Sequence, residues 1–438
     1  MKRSLAFLIA LILKPVQVEA SEVRAVLWSF SYFFALLCSY YIIRPLRDEM
    51  GILGGVENLQ WLFSGTLLAM LAAIPLFGWV SSRYPRRQFL PYTYSFFILM
   101  LLLFYVLMQQ QTSPLIARAF FIWTSVFNLF VVSVFWSFMT DLYSNAQARR
   151  LFGFIAAGGS IGAIAGPAIT AILVQSLGNH NLLLVSALFM SWSLVCIYRL
   201  SSWSNTAIQS DPAHPSAAPE QPIYGSVWSG ITLVMRSPYL LGIVLLMILF
   251  TTLATFLYLM QAQIIRDAFV DSAQRTAVFA SIDLVVNALT LLLQLFVTSR
   301  LIQRFGLPVV LAIIPLLLAA GFLLLGISPL LSILLLVQII RRAGNYALMR
   351  PAREMLYVVL SREEKYRAKN VIDTIVYRFG DAVSAWVYTA MRSLVLGLSG
   401  IALIAVPLAL FWAWIAFGLG RKQETLAQLQ SNSKQEST

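Results

Sequence analysis

The chain is written in long apolar runs separated by short polar punctuation. Runs of about 17–25 apolar residues recur, the length at which a helix crosses roughly 30 Å of hydrocarbon. Twelve spans are predicted on this pattern. Six lie at 25–43, 59–80, 89–108, 115–139, 151–176 and 181–198. Six more lie at 239–260, 276–299, 307–326, 329–349, 371–395 and 397–418. Between the sets runs "SSWSNTAIQSDPAHPSAAPEQPIYGS", Ser201 to Ser226, whose Pro, Ser and Ala content is that of a flexible linker. The expected organisation is an N-terminal segment (1–24), a six-helix bundle (25–198), a cytoplasmic linker (199–238), a second bundle (239–418) and a polar cytoplasmic tail (419–438).

The two sets correspond. A constant offset of 217 residues carries each early span close to a later one and lays "SRYPRRQFLP" (Ser82–Pro91) on "SRLIQRFGLP" (Ser299–Pro308), with five of ten positions identical. The predicted fold is therefore an all-α membrane protein of two pseudo-symmetric six-helix bundles. The N-terminus has two readings. "MKRSLAFLIALIL" followed by "VEA" has the form of a signal peptide. Its apolar part, Leu5 to Leu13, is too short to span, and Lys14 and Pro15 break it, which favours a helix lying in the interface.

Composition agrees with the pattern. Hydrophobic residues make up 59% of the 438 and charged residues 11%, too little polar content to cover a soluble protein of this length. The net charge of +13 does not imply nucleic acid, because cytoplasmic loops collect Lys and Arg. With both termini in the cytoplasm, all but seven of the 31 basic residues fall on that side. The exceptions are Arg44, Arg47, Arg118, Arg266, Arg275, Arg378 and Arg392. Cys38 and Cys196 sit in apolar runs, His180 and His214 in short polar stretches, and no metal-ligand spacing occurs, so neither metal nor cofactor is expected. No P-loop is present, so transport energy would come from gradients or exchange.

Charges at membrane depth are costly and face a bundle interior or a watery cavity. Here they are Arg44, Arg47 and Asp48 after the first span, Asp141 at the end of the fourth, Arg266 and Asp267 after the seventh, Asp283 in the eighth, Arg341 and Arg342 in the tenth, and Asp373, Arg378 and Asp381 in the eleventh. Arg378 stands three residues before Asp381, the spacing of an intrahelical pair. Each terminal charge also has a plain reading, snorkelling or a structural ion pair. The excess of arginine points to a small anionic substrate, because guanidinium groups bind phosphate or carboxylate through paired hydrogen bonds. A membrane-embedded enzyme would need an acid, base or nucleophile constellation, and none is recognisable. Gly158, Gly162 and Gly166 are spaced by four and share one helical face, with Pro167 following, the pattern of close helix packing.

Several stretches resemble known families. "GWVSSRYPRR", Gly78 to Arg87, is similar to the G-x-x-x-D-R-x-G-R-R loop of the major facilitator superfamily, with Ser82 for the aspartate and Pro85 for the second glycine. Gly153, Gly162, Gly166 and Pro167 fit the glycine–proline signature of facilitator-type antiporters. Three further stretches resemble the nucleotide transporter family, the ATP/ADP translocases of plastids and intracellular bacteria. "YIIRPLRDEMG" looks like its R-D-x-K-D pattern, with Arg47 at the lysine and Asp48 at the aspartate. "FWSFMTD" places Asp141 at the acidic position of F-W-G-F-x-N-E. "PAREMLYVVL" and "KNVID" match P-x-K-E-M-x-Y-I-P-L and K-A-A-I-D, with Arg353 for the lysine, then Glu354, Tyr357, Lys369 and Asp373. The resemblance implies an inner-membrane protein that exchanges ATP for ADP by alternating access. Phosphate contacts would fall to Arg44, Arg47, Arg353 and Lys369, and gating or ion-pair roles to Asp48, Asp141, Asp373, Arg378 and Asp381. An acidic residue expected after the seventh span is instead Gln261 or Gln263, which leaves transport of another organic anion as the alternative.

Overall fold

The computed structural model describes residues 18–19, 22–83, 86–109, 112–210, 227–394 and 396–436. Most of the N-terminal segment, Tyr84 and Pro85 of the facilitator-like loop, and linker residues 211–226 lie outside the described residues. Every regular element among the described residues is helical. In chain order these are α1 (Val23–Leu53), α2 (Leu59–Arg83), α3 (Arg86–Met108), α4 (Pro114–Leu142), α5 (Asn145–Ser210), α6 (Val227–Arg236), α7 (Pro238–Ala268), α8 (Ser272–Phe296), α9 (Thr298–Ile327), α10 (Leu331–Gly344), α11 (Arg350–Leu356), α12 (Arg362–Asn370), α13 (Tyr377–Ser393) and α14 (Leu398–Glu436).

Among the described residues nine helices are long and apolar enough to cross a membrane. One of these, Ala146–Trp203, has 58 residues, about 87 Å of helix at 1.5 Å per residue, far more than one crossing needs. It breaks at Gly178, whose φ of 78° is a left-handed conformation open to glycine. α9 breaks the same way at Gly306, φ 75°. The short helix α6 falls inside the expected linker 199–238, whose first residues continue α5 as helix to Ser210, and α14 carries on through Glu436, so the polar tail is helical over its described length.

The chain forms two compact units. Unit 1 comprises Met1–Gly54, Leu68–Glu220 and Asp271–Leu284. Unit 2 comprises Gly55–Leu67, Gln221–Val270 and Val285–Thr438. Helices α2 and α8 therefore each begin in one unit and continue in the other.

In unit 1, α1 lies along α5 at close range because glycines of α5 face it. A Cβ on Gly158 would come 2.5 Å from the Phe30 carbonyl oxygen, and one on Gly166 2.7 Å from that of Cys38. A Cβ on Gly162 would collide with the Phe34 carbonyl oxygen. Three glycines four apart thus meet three α1 backbone groups four apart, the small-residue route to helix association in lipid. α1 and α4 run antiparallel. Arg118 Nε donates to the Gly54 carbonyl oxygen at 2.8 Å at one end, and the Ser29 and Tyr143 hydroxyls hydrogen-bond at 2.9 Å at the other. Between them, Tyr32, Phe33, Phe120, Phe127 and Phe135 are buried, with the Phe33 and Phe135 rings stacked 4.1 Å apart. Just before α1, the buried Glu22 carboxylate accepts from Gln147 Nε2 at 2.8 Å and from both Arg150 Nη atoms at 3.0 and 3.3 Å. Burial alone would raise this carboxyl. The Glu19 N–H, Gln147 and Arg150 outweigh burial and hold it below the ordinary value of 4.5.

In unit 2, α9 and α14 pack so closely that a Cβ on Gly420 would lie 2.5 Å from Pro308 Cα. Past that contact, Glu424 Oε1 accepts from the Leu307 N–H at 3.2 Å, satisfying a donor left open by the break at Gly306. Gln430 Nε2 donates to the Val359 carbonyl oxygen at 2.9 Å, tying α14 to the turn before α12. α12 starts with a capping box: Glu364 N–H donates to Ser361 Oγ and Ser361 N–H to Glu364 Oε2. Two π-helical stretches, Asn345–Met349 and Val371–Val376, flank the segment that carries Arg353 and Lys369. Such wide turns are uncommon and concentrate at functional sites.

Candidate substrate-binding clusters

In unit 1 the last turns of α1 gather charge. Arg44 Nε lies 3.7 Å from Asp283 Oδ2, and the Asp283 side chain is 1% exposed. The Arg44 guanidinium also stands 5.5 Å from the Tyr41 ring centroid. Arg47 is stacked on Phe121, 4.0 Å from its centroid, and Nη1 reaches Asp48 Oδ1 at 3.3 Å. Its Nε is buried and makes no hydrogen bond. Stacking on Phe121 fixes the plane of the guanidinium while one donor of its fork stays unsatisfied.

Next to this cluster is a pair that sequence reading did not assemble. Arg275 donates to Glu49 through Nε at 2.8 Å and Nη2 at 2.7 Å. Ser272 Oγ donates to Glu49 Oε1 at 2.7 Å, and Asn179 Nδ2 donates to Ser272 Oγ at 2.8 Å. Glu49 is fully buried. Its only signal in the sequence is its place beside Asp48, whereas Arg275 stood out as a base on the side where bases are few.

Asp141 is not in this cluster. It is exposed near the end of α4, whose start meets the end of α1 through Arg118 and Gly54. From Arg118 to Asp141 the helix runs about 35 Å at 1.5 Å per residue. The structure therefore sets Asp141 at the far end of unit 1 from Arg44 and Arg47.

In unit 2 the polar groups form a ladder along α7. Near its start, Arg353 Nη2 lies 3.3 Å from Asp373 Oδ1, and Arg353 Nη1 faces Met247 Sδ. Arg353 Nε is buried without a hydrogen bond, and so is the Tyr357 hydroxyl. Lys369 Nζ donates to Glu354 Oε2 at 2.7 Å. Two turns further along α7, Thr255 Oγ1 donates to Asp381 Oδ1 at 3.4 Å, and Asp381 Oδ2 lies 3.8 Å from Arg378 Nη1. Further still, Gln338 Nε2 donates to Gln261 Oε1, and Arg341 Nε donates to Gln338 Oε1 at 2.8 Å. Gln261 and Gln338 are buried. Gln263 instead accepts from Arg392. Of the two amides that stand where the family resemblance implies an acid, Gln261 is thus held in a neutral relay leading to Arg341 and Gln263 is held by Arg392.

At the end of α7, Arg266 Nη1 meets Glu57 Oε1 at 2.6 Å and its Nε meets Asp267 Oδ1 at 3.0 Å. Glu57 lies in the turn before α2, where its own backbone N–H, then Arg266, hold its carboxyl below the ordinary value. Among the described residues no group of three or more His, Cys, Asp or Glu could hold a metal ion.

Long apolar helices with clustered arginines among them define a polytopic membrane protein. The chain belongs to the Major Facilitator Superfamily, whose family model matches residues 25–289. Among curated proteins it is 24% identical over 297 residues to ADP,ATP carrier protein 1 of Chlamydia muridarum (strain MoPn / Nigg), covering 60% of this chain and 56% of the relative. It is 24% identical over 281 residues to the protein of that name from Chlamydia trachomatis serovar D, covering 56% of this chain and 53% of the relative. The chain thus spans about half the length of the curated relatives it matches. Its fold is similar to the crystal structure of nucleoside transporter NupG, with TM-score 0.65 at 14% identity, covering 92% of this chain and 99% of the other. It is also similar to a D-xylose-proton symporter, with TM-score 0.60 at 12% identity, covering 90% and 96%.

Proposed function

We propose that this facilitator-type transporter exchanges nucleotides, ATP for ADP, by alternating access of two six-helix bundles, with both termini in the cytoplasm of a bacterium. The observation that carries the reading concerns two arginines. Arg47 and Arg353 stand at the two lysine positions of the nucleotide-carrier resemblance, and each keeps a buried Nε without an acceptor. A buried, charged donor left unsatisfied is costly, and a phosphate oxygen would satisfy it. Arg44 and Lys369 add positive charge to the same clusters, each already balanced by an acid, Asp283 or Glu354, that an arriving anion could displace. Asp48 and Asp373 supply exchangeable partners for Arg47 and Arg353, while Arg378 and Asp381 form a gating pair with each other. The 24% identity to carriers named for ADP and ATP supports the same substrate class.

The test is uptake of labelled ADP into proteoliposomes of the purified protein loaded with ATP. Uptake should depend on internal nucleotide. Arg47→Ala should reduce it at least tenfold while insertion and thermal stability hold. Absence of counter-substrate-dependent uptake with every nucleotide tried would remove the nucleotide reading and leave the transporter. The neutral Gln261–Gln338 relay favours one second reading, exchange of a different organic anion, which the same vesicles loaded with sugar phosphates or dicarboxylates would reveal.

A further inference from the structure

The half-exposed residues in the second half of α1 fall on one stripe. From Ala35 to Ile52 the helix is buried except at Leu37, Tyr40, Tyr41, Arg44 and Arg47. A half-exposed arginine on a membrane helix faces a watery cavity, because lipid excludes its charge. The tyrosines share that stripe and border the same water. Tyr40 stands seven residues before Arg47, about 10 Å along the helix.

α4 matches this spacing. Phe121, on which Arg47 stacks, is seven residues before Asn128, and Phe135, on which Phe33 stacks, is seven residues after it. Phe33 is likewise seven residues before Tyr40. Because the two helices run antiparallel, Asn128 stands level with Tyr40. Its neighbour Phe127 has its ring 6.5 Å from the Tyr40 ring, the planes 24° apart. Asn128 is half-exposed. The hydroxyls one turn before it are already used: Thr124 donates to the Phe120 carbonyl oxygen at 2.8 Å and Ser125 to that of Phe121 at 3.3 Å. The Asn128 amide has no hydrogen-bond partner among the described residues. An amide carries two donors and an acceptor, and leaving them unmet in apolar surroundings is costly.

The repeat keeps this residue. The 217-residue offset sets the first residue of α4, Pro114, on the first of α10, Leu331, and sets Asn128 on Asn345. Asn345 is half-exposed too and opens the first π-helical stretch. The same offset carries Arg44 onto Gln261 and Arg47 onto Ile264. The amide is retained where the cations are not, so its role is separate from balancing charge.

A nucleotide has two ends. Its phosphates need cations, and its base is a flat ring with a polar edge. Aromatic side chains stack on any such ring. An asparagine amide pairs through two hydrogen bonds with N6 and N7 of adenine, where guanine offers two acceptors. We propose that Tyr40 and Asn128 form a base-recognition subsite beside the phosphate-binding arginines of unit 1. Tyr40 stacks on the base, and the Asn128 amide donates to N7 and accepts from the 6-amino group of adenine. The inference rests on the nucleotide reading and deepens it.

The test titrates purified full-length protein in detergent by calorimetry with ADP, GDP and inorganic pyrophosphate. The unaltered protein should bind ADP at least tenfold tighter than either of the others. Asn128→Ala should bring ADP and GDP within threefold of each other. Tyr40→Ala should lower the ratio of ADP to pyrophosphate affinity at least tenfold, and Tyr40→Phe, which keeps the ring, should hold that ratio within threefold of wild type. Arg47→Ala should weaken all three ligands together. An unaltered protein that binds ADP no tighter than GDP, a folded Asn128→Ala that keeps the preference, or a Tyr40→Ala that weakens ADP and pyrophosphate equally would each overturn the subsite and leave the nucleotide reading standing. Binding of neither nucleotide would remove that reading and the subsite with it.

Discussion

Adding one methyl group to α5 should have opposite effects at two glycines. Alanine is favoured over glycine inside a helix by about 1 kcal/mol, wherever the methyl group has room. Gly153 is exposed, and a Cβ there would meet nothing within 4 Å. Gly153→Ala should therefore stabilise by about 0.5–1 kcal/mol. At Gly162 the new Cβ would collide with the Phe34 carbonyl oxygen and lie 3.0 Å from the Cys38 nitrogen. Both obstacles are α1 backbone, so no side chain can swing aside and the helices must part. Overpacking of this kind costs about 1–3 kcal/mol, and rigid backbone places Gly162 near the top of that range. Net of the helix preference, Gly162→Ala should lose about 2 kcal/mol, roughly a thirtyfold shift in the unfolding equilibrium. Apparent melting temperatures in detergent, read by intrinsic fluorescence at one scan rate, test the pair of signs. A Gly162→Ala protein as stable as Gly153→Ala would refute the close approach of α1 and α5.

Three further outcomes follow from single contacts. The lowered Glu22 carboxyl contributes stability that is complete above its ordinary value of 4.5 and is lost as pH falls through the lower folded value. The melting-temperature gap between wild type and Glu22→Gln should thus be widest near neutrality and close as the pH falls below 4.5; a constant gap from pH 7 to 3 would contradict this. Gly306→Ala forces a β-carbon into a left-handed backbone at φ 75° and should destabilise by about 1–2 kcal/mol in the same melting assay. Glu424→Ala, which frees the Leu307 N–H, should destabilise in the same direction by about 1 kcal/mol, and no shift would mean water already serves that donor.

The helical fold was legible in the sequence because its signals are local. Apolar run length marks spans, and a four-residue glycine spacing marks one face of α5. The breaks at Gly178 and Gly306 fall in the gaps the apolar runs leave, between 176 and 181 and between 299 and 307, though the positive φ itself has no signature in one dimension. The candidate site was legible only in part, and the reason is sequence distance. Arg275 and Arg266 stood out because they violate the expected distribution of basic residues, but their partners are 226 and 209 residues away. No periodicity or spacing rule reaches that far. Arg378 and Asp381, three apart on one helix, needed no such reach.

The seven displaced arginines now divide by what they touch. Arg118 binds the Gly54 carbonyl oxygen, Arg392 binds Gln263, and Arg266 and Arg275 bind Glu57 and Glu49. Each of these four joins the end of one long helix to another element, and none needs an external anion to explain it. Arg44, Arg47 and Arg378 differ. Their acidic partners lie at 3.7, 3.3 and 3.8 Å, longer than the 2.6 and 2.7 Å of the Glu57 and Glu49 pairs. A charge-assisted hydrogen bond prefers about 2.7–2.9 Å. The Glu57 and Glu49 pairs lie at about that optimum. An arginine that must release its internal acid to take up a substrate anion cannot be bound too tightly to it. On the proposed reading, that release is asked of Arg44 and Arg47, whose guanidinium groups also lie against the Tyr41 and Phe121 rings.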